Sequence, residues 1–123
     1  MTPNLREYHQ LVRALAKQER HRLVRDTLVL PKECGVYLIT NRQRQHLYLG
    51  RTANIRRRLK QQLLYEGGRH TLKKKLKKEK GQSEAVVIKW LSKCYVQFLP
   101  CQESMVKRLE HLAIAVLDPS YND

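Results

Sequence analysis

Residues 34–40, CGVYLIT, and 46–50, HLYLG, are two short β-branched and apolar runs separated by the polar pentapeptide NRQRQ. That pattern is the signature of a β-hairpin, and it constrains the chain more than any other stretch. Alternation along the first strand places Val36 and Leu38 on one face and Tyr37 and Ile39 on the other. In the second strand, Leu47 and Leu49 share a face, with His46 and Tyr48 opposite. A turn closing around Arg42 and Gln43 sets Tyr37 directly across from Tyr48. No Asn-Gly or Asp-Gly pair signals a tight two-residue turn.

Around the hairpin the apolar spacing is helical. Leu5, Tyr8, Val12 and Leu15 mark one face of a helix predicted from Asn4 to Arg25, with a break near His21, and Pro31 separates it from the first strand. After Gly50, Asn54 or Thr52 can cap a helix whose stripe is Ile55, Leu59 and Leu63 and whose end is Gly67-Gly68. A lysine-rich stretch follows as a short helix held by Leu72 and Leu76. A further helix runs from Ser83 to Leu91, carrying Val87 and Trp90. CYVQFLP is a third strand ended by Pro100, and a last helix runs from Glu103 to Leu117, stopped by the residue before Pro119. The order α-β-β-α-α-β-α predicts an α+β fold, a small antiparallel three-stranded sheet flanked by helices. Residues 1–33 read as an N-terminal helical extension and 34–123 as the main unit. At 123 residues the chain is sized for one core.

Charge narrows the function. Twenty-five Lys and Arg against eleven Asp and Glu give a net charge of +14, an excess that implies an anionic partner, most commonly nucleic acid. The excess concentrates between Arg51 and Lys80, where twelve cations face only Glu66 and Glu79, as tracking of a phosphate backbone requires. A basic helix could instead meet a membrane surface, but Leu72 and Leu76 offer too little apolar area. No apolar stretch is long enough to span a bilayer, and the polar N-terminus has no secretory signal. Three cysteines, Cys34, Cys94 and Cys101, have no metal-ligand spacing and fit a reducing compartment. Those observations predict a cytoplasmic protein, nucleoid-associated or nuclear if eukaryotic.

Several side chains could carry chemistry. Glu110 has Val106, Ala113, Ile114 and Leu117 as its helical neighbours, so its carboxylate faces the protein body and needs either an arginine or a metal ion. Tyr37 and Tyr48 are either an aromatic cross-strand pair or a functional pair. Of Arg56, Arg57 and Arg58, only one can face back over the hairpin, because consecutive helical residues diverge by about 100°. Arg58 flanks the Ile55–Leu59 stripe best.

The order of these residues resembles the GIY-YIG endonuclease superfamily. Gly35-Val36-Tyr37 and Tyr48-Leu49-Gly50, with ten residues between the tyrosines, are similar to its two signatures. Arg58 lies ten positions after the second tyrosine and Arg51 three after it, while Glu110 and Asn122 match its glutamate and asparagine in E-x11-N. The resemblance implies a DNA phosphodiesterase. Glu110 would be the ligand of one Mg²⁺ or Mn²⁺ ion, Arg58 would stabilise charge on the scissile phosphate, and Tyr37 would be the general base assisted by Tyr48. Asn122 completes the catalytic set. Arg51, Asn54, Arg56, Arg57, Lys73, Lys74 and Lys77 are the expected substrate-binding residues. Many family members carry histidine or tyrosine four residues after the arginine; here Gln62 stands there, and His70 in the following loop is one candidate to replace it.

The expected activity is therefore metal-dependent cleavage of DNA, with duplex, branched and damaged forms all open as substrates. An alternative keeps the fold and the basic surface as a nucleic-acid-binding module without turnover, and a third reading is a basic adaptor for acidic proteins. The N-terminal helix could pack on the core or serve a protein partner or homodimer. A tyrosine base has an ordinary pKa of about 10, and cations such as Arg51, Arg58 and the metal are expected to lower it.

Overall fold

The computed structural model describes residues 3–122. Helix α1 (Leu5–Ala16) is followed by β1 (His21–Arg22), β2 (Gly35–Thr40), β3 (His46–Thr52), a π-helix (Arg57–Leu63), α2 (Thr71–Lys80), α3 (Glu84–Leu91), β4 (Tyr95–Pro100) and α4 (Glu103–Leu117). The strands form one antiparallel sheet in the order β1-β4-β2-β3. Strand β2 is buried along its whole length because helices cover both faces of the sheet. Val36, Leu38 and Leu49 pack against Tyr8, Val12 and Leu15 of α1 and Val106, Leu109 and Ala113 of α4. On the other face, Tyr37, Ile39, Tyr48 and Val96 pack against the π-helix, α2 and α3 through Ile55, Leu59, Leu63, Leu72, Leu76, Val87 and Leu91. Among the described residues, no helix is long and apolar enough to cross a membrane.

The sheet has four strands rather than the three expected, because the predicted first helix stops early. It ends at Ala16, not Arg25. The cause is tertiary: buried Gln97 of β4 donates through Nε2 to the carbonyls of Ala16 (2.9 Å) and Gln18 (2.8 Å), satisfying acceptors that a longer helix would have used itself. The chain then turns and pairs His21 and Arg22 with Val96 and Tyr95. Tyr8, Val12 and Leu15 of the α1 stripe pack on the sheet and α4, while Leu5 at its start is exposed.

The hairpin closes around Arg42 and Gln43 as predicted, through an Arg44 N–H to Asn41 carbonyl bond of 3.0 Å, but the register differs. Arg44 adopts φ 64°, and Asn41 Oδ1 accepts from the N–H groups of Gln43 and Gln45, so the turn holds an extra residue. A bulge then skips Leu47, since Ile39 pairs with Tyr48 while Thr40 pairs with His46. The two insertions shift the register by two residues, which preserves the side-chain faces. Tyr37 therefore shares a face with Tyr48 yet lies opposite Gly50, and Leu47 joins Tyr48's cluster rather than Leu49's.

Opposite Gly50, the Tyr37 ring lies flat over the missing side chain. A Cβ there would stand 2.5 Å from the Tyr37 hydroxyl oxygen and 2.6 Å from Cζ. Gly50→Ala is expected to cost about 1–3 kcal/mol by overpacking. Urea denaturation should show this cost, and it should largely vanish in a Tyr37→Leu background. Strictly additive costs in that cycle would argue against the contact.

Candidate active site

The π-helix sets the arginine. Asn54 Oδ1 accepts from Arg57 N–H at 3.0 Å, so of the two expected capping residues Asn54 is the cap of this helix, and Thr52 Oγ1 accepts from Asn54 N–H at 3.1 Å one step before it. The helix is wider than predicted: Leu64 N–H bonds to the carbonyl of Leu59, five residues back, at 2.9 Å. The wide turn keeps Ile55, Leu59 and Leu63, each four apart, fully buried on one side. Arg56 and Arg57 face solvent, while Arg58 is half-buried, as predicted for one of three consecutive arginines. Its Nη1 donates to Gln62 Oε1 at 2.8 Å and to the Arg69 carbonyl at 3.2 Å.

Three rings meet beneath Arg58. The centroids of Tyr37 and Tyr48 are 6.2 Å apart, and the His70 ring lies 6.0 Å from the first and 5.4 Å from the second. Tyr37 Oη and His70 Nε2 are 2.7 Å apart, and His70 Nδ1 receives the Leu72 N–H at 3.0 Å. Sequence reasoning left His70 as one candidate in a loop; it is instead the buried N-cap residue of α2. Its local signal, a polar residue just before a helical run, was available but histidine is not among the usual caps.

Tyr37 is inaccessible to solvent. Burial raises its pKa well above the ordinary tyrosine value, with the Tyr48 phenol adding to the rise and Arg58 opposing it by charge and hydrogen bonding. In the metal-free protein the arginines do not achieve the expected lowering: loss of solvation outweighs Arg58, and Arg51 is engaged elsewhere. Burial also drives the His70 pKa down to about 3, assisted by the positive charges of Arg58 and Lys73.

Glu110 belongs to the other side of the sheet. Its Oε1 is 3.4 Å from Arg51 Nε and 4.0 Å from His111 Nε2, and the Glu110 side chain is 17% exposed. The carboxylate is nonetheless felt by Tyr37, adding the smallest share to the upward push on the phenol. Arg51 is accordingly the partner of Glu110. Among the described residues, no group of three or more His, Cys, Asp or Glu side chains could hold a metal ion. The chemistry present is one carboxylate, which fits an ion such as Mg²⁺ that takes the rest of its shell from water and phosphate oxygens.

Two further expected site residues have partners inside the fold. Asn122 clasps the backbone of Leu49, its Oδ1 accepting from the N–H at 2.7 Å and its Nδ2 donating to the carbonyl at 2.8 Å. With Ser120 and Tyr121 N–H groups bonded to the carbonyls of His46 and Leu47, the C-terminal tail covers the free edge of β3. Both polar ends of Asn122 thereby position the Tyr48-Leu49-Gly50 strand. Lys73 is buried, pairing with Glu84 at 2.6 Å and donating to the Tyr65 carbonyl at 2.9 Å, so its assignment to substrate is corrected. Lys74 and Lys77 are exposed and, with Arg58, Arg69 and Lys78, line a groove of about 870 Å³ beside the rings. Glu84, its acidic wall, is neutralised by Lys73 and the Gly67 N–H.

The crystal structure of the N-terminal GIY-YIG endonuclease domain of UvrC from Thermotoga maritima, bound to its catalytic magnesium, is similar over 93% of this chain and 98% of that one, with 20% identity and a TM-score of 0.49. No curated protein sequence matches the chain. Residues 33–122 match the GIY-YIG catalytic domain family, a span that holds the hairpin, the π-helix, the lysine-rich helix, β4, α4 and the tail clasp. By that match over most of its length, the chain belongs to the GIY-YIG family and is an endonuclease-type phosphodiester hydrolase.

Proposed function

We propose that the domain is a metal-dependent endonuclease hydrolysing DNA phosphodiester bonds at the Tyr37 cluster. One observation carries this: the Tyr37 phenol is approached by Tyr48, Arg58 and His70 and lies within electrostatic reach of Glu110. Tyr37 takes a proton from the attacking water as the new phosphorus–oxygen bond forms and the ester bond breaks, the leaving oxygen taking its proton from solvent. Arg58, preorganised by Gln62 and the Arg69 carbonyl, faces the charge that builds on the phosphate. Tyr48 orients water or phosphate by hydrogen bonding. Glu110 holds the divalent cation, Mg²⁺ or Mn²⁺, which supplies Lewis-acid stabilisation of the phosphate charge when bound. Arg56, Arg57, Lys74 and Lys77 bind the DNA backbone from exposed positions.

A second reading, nucleic-acid binding without turnover, is favoured by the complete burial of Tyr37, which leaves a water no direct approach before substrate binds. Supercoiled plasmid separates the two. Nicking with Mg²⁺ that is abolished both by EDTA and by Glu110→Ala supports the nuclease, whereas salt-sensitive binding without nicking supports the second reading.

The raised pKa of Tyr37 sets the pH dependence. Only the phenolate accepts a proton, and below its pKa that fraction grows about tenfold per pH unit. The single-turnover cleavage rate is expected to climb throughout pH 6 to 9. A flat profile, with chemistry shown to be rate-limiting, would remove Tyr37 as the base.

The lysines of α2 divide. Lys74→Ala and Lys77→Ala should each weaken DNA binding and lower the slope of log K against log salt by about 0.9. Lys73→Met should leave that slope unchanged and instead lower the urea midpoint, since it strands Glu84 and the Tyr65 carbonyl. Fluorescence anisotropy over a salt series measures the first and denaturation the second.

A further inference from the structure

The two ring nitrogens of His70 face different groups, and their partners fix where its proton sits. Nδ1 is 3.0 Å from the Leu72 N–H. A backbone N–H only donates, so Nδ1 carries a lone pair. That excludes both the imidazolium and the Nδ1–H tautomer. The ring proton is on Nε2, which is 2.7 Å from Tyr37 Oη, and His70 is therefore the donor and the phenol oxygen the acceptor. A pKa held down to about 3 by burial, Arg58 and Lys73 keeps the ring neutral across the range in which proteins are stable.

We propose that His70 is a positioning residue for Tyr37, its Nε2–H occupying one lone pair of Oη, turning the phenol proton away from the imidazole and steadying the phenolate that forms when that proton leaves. The proposal rests on Tyr37 acting as the base. Four elements press on the phenol: Tyr48 of β3 and Glu110 of α4 oppose its ionisation, Arg58 of the π-helix favours it, and His70 contributes a neutral donor from the N-terminus of α2. Lys73, facing His70 from α2, keeps the imidazole from charging.

The same ring caps the lysine-rich helix, which couples the seating of α2 to the state of Tyr37. That seating is fastened at several points. Lys73 pairs with Glu84, Glu84 accepts the Gly67 N–H, and the Tyr121 hydroxyl donates to Glu79 at 2.9 Å. The strap leading to His70 is pressed against the π-helix: a Cβ on Gly68 would lie 2.3 Å from the Gln61 carbonyl oxygen. A strap that close leaves His70 little freedom to withdraw from Tyr37.

His70→Asn separates the two roles of the ring. Asparagine keeps an oxygen for the Leu72 N–H and is a favoured cap, but it is too short to reach Tyr37 Oη. With Mg²⁺ and saturating plasmid, the variant is expected to cleave about tenfold more slowly across pH 6 to 9, the two rates rising in parallel because both phenols titrate above that range. An unchanged rate overturns the proposal. Long-range proton–nitrogen spectra of the full chain give a readout independent of cleavage. They should show His70 as the Nε2–H tautomer without titration from pH 5 to 9, and Tyr37→Phe should shift that signal and speed its exchange with water. The Nδ1–H tautomer, a midpoint near 6.5, or a signal indifferent to Tyr37→Phe overturns it. A wild type that shows the expected spectra but never nicks DNA defeats the nuclease reading while leaving the His70–Tyr37 geometry intact.

Discussion

The contact on which the rest of the site depends is the Tyr37 ring lying over Gly50. It is possible only because the hairpin takes two extra residues on its second strand, at Arg44 and Leu47, and so brings a glycine rather than a side chain opposite the ring. The phenol can then extend toward the edge strand, where Arg58, His70 and Tyr48 meet it from one side and Glu110 is felt from the other. A single register slip would have sent Tyr37 to the α1–α4 face, and the site would not exist.

Around that contact, buried polar groups do structural tasks so that exposed ones remain available. Lys73 is spent inside on Glu84 and the Tyr65 carbonyl, while Lys74 and Lys77, one and four positions on, face the basic groove. Arg51 neutralises Glu110, and Arg58 is held in place by Gln62 and a backbone carbonyl. Asn122 acts as a surrogate strand partner for Leu49 and keeps the edge from fraying. The charge of the segment is one feature in composition and several in space.

Legibility in the sequence followed the range of the interactions. The hairpin, the Asn54 cap, the Ile55–Leu59–Leu63 stripe and the single inward arginine are local and periodic, and each was readable. The early end of α1, the two-residue β1 and the bulge at Leu47 were not, because Gln97, β4 and the turn chemistry at Asn41 decide them. The same holds for the roles of Lys73 and Asn122, whose partners, Glu84 and backbone groups of other segments, no residue type announces. In the metal-free protein the pKa of Tyr37 lies above the ordinary tyrosine value, since desolvation scales with burial and burial is a property of the packed fold.

By itself, the amino-acid sequence determined the faces of the strands, the membership in the GIY-YIG family and the excess of basic charge. Those follow from periodicity, spacing and charge, which are written along the chain. Tertiary structure alone decided that His70 meets Tyr37, that Gly50 makes room for the ring, that Glu110 pairs with Arg51, and which lysines face outward. Each joins residues on different elements, and hydrogen-bond direction and burial exist only once those elements have packed.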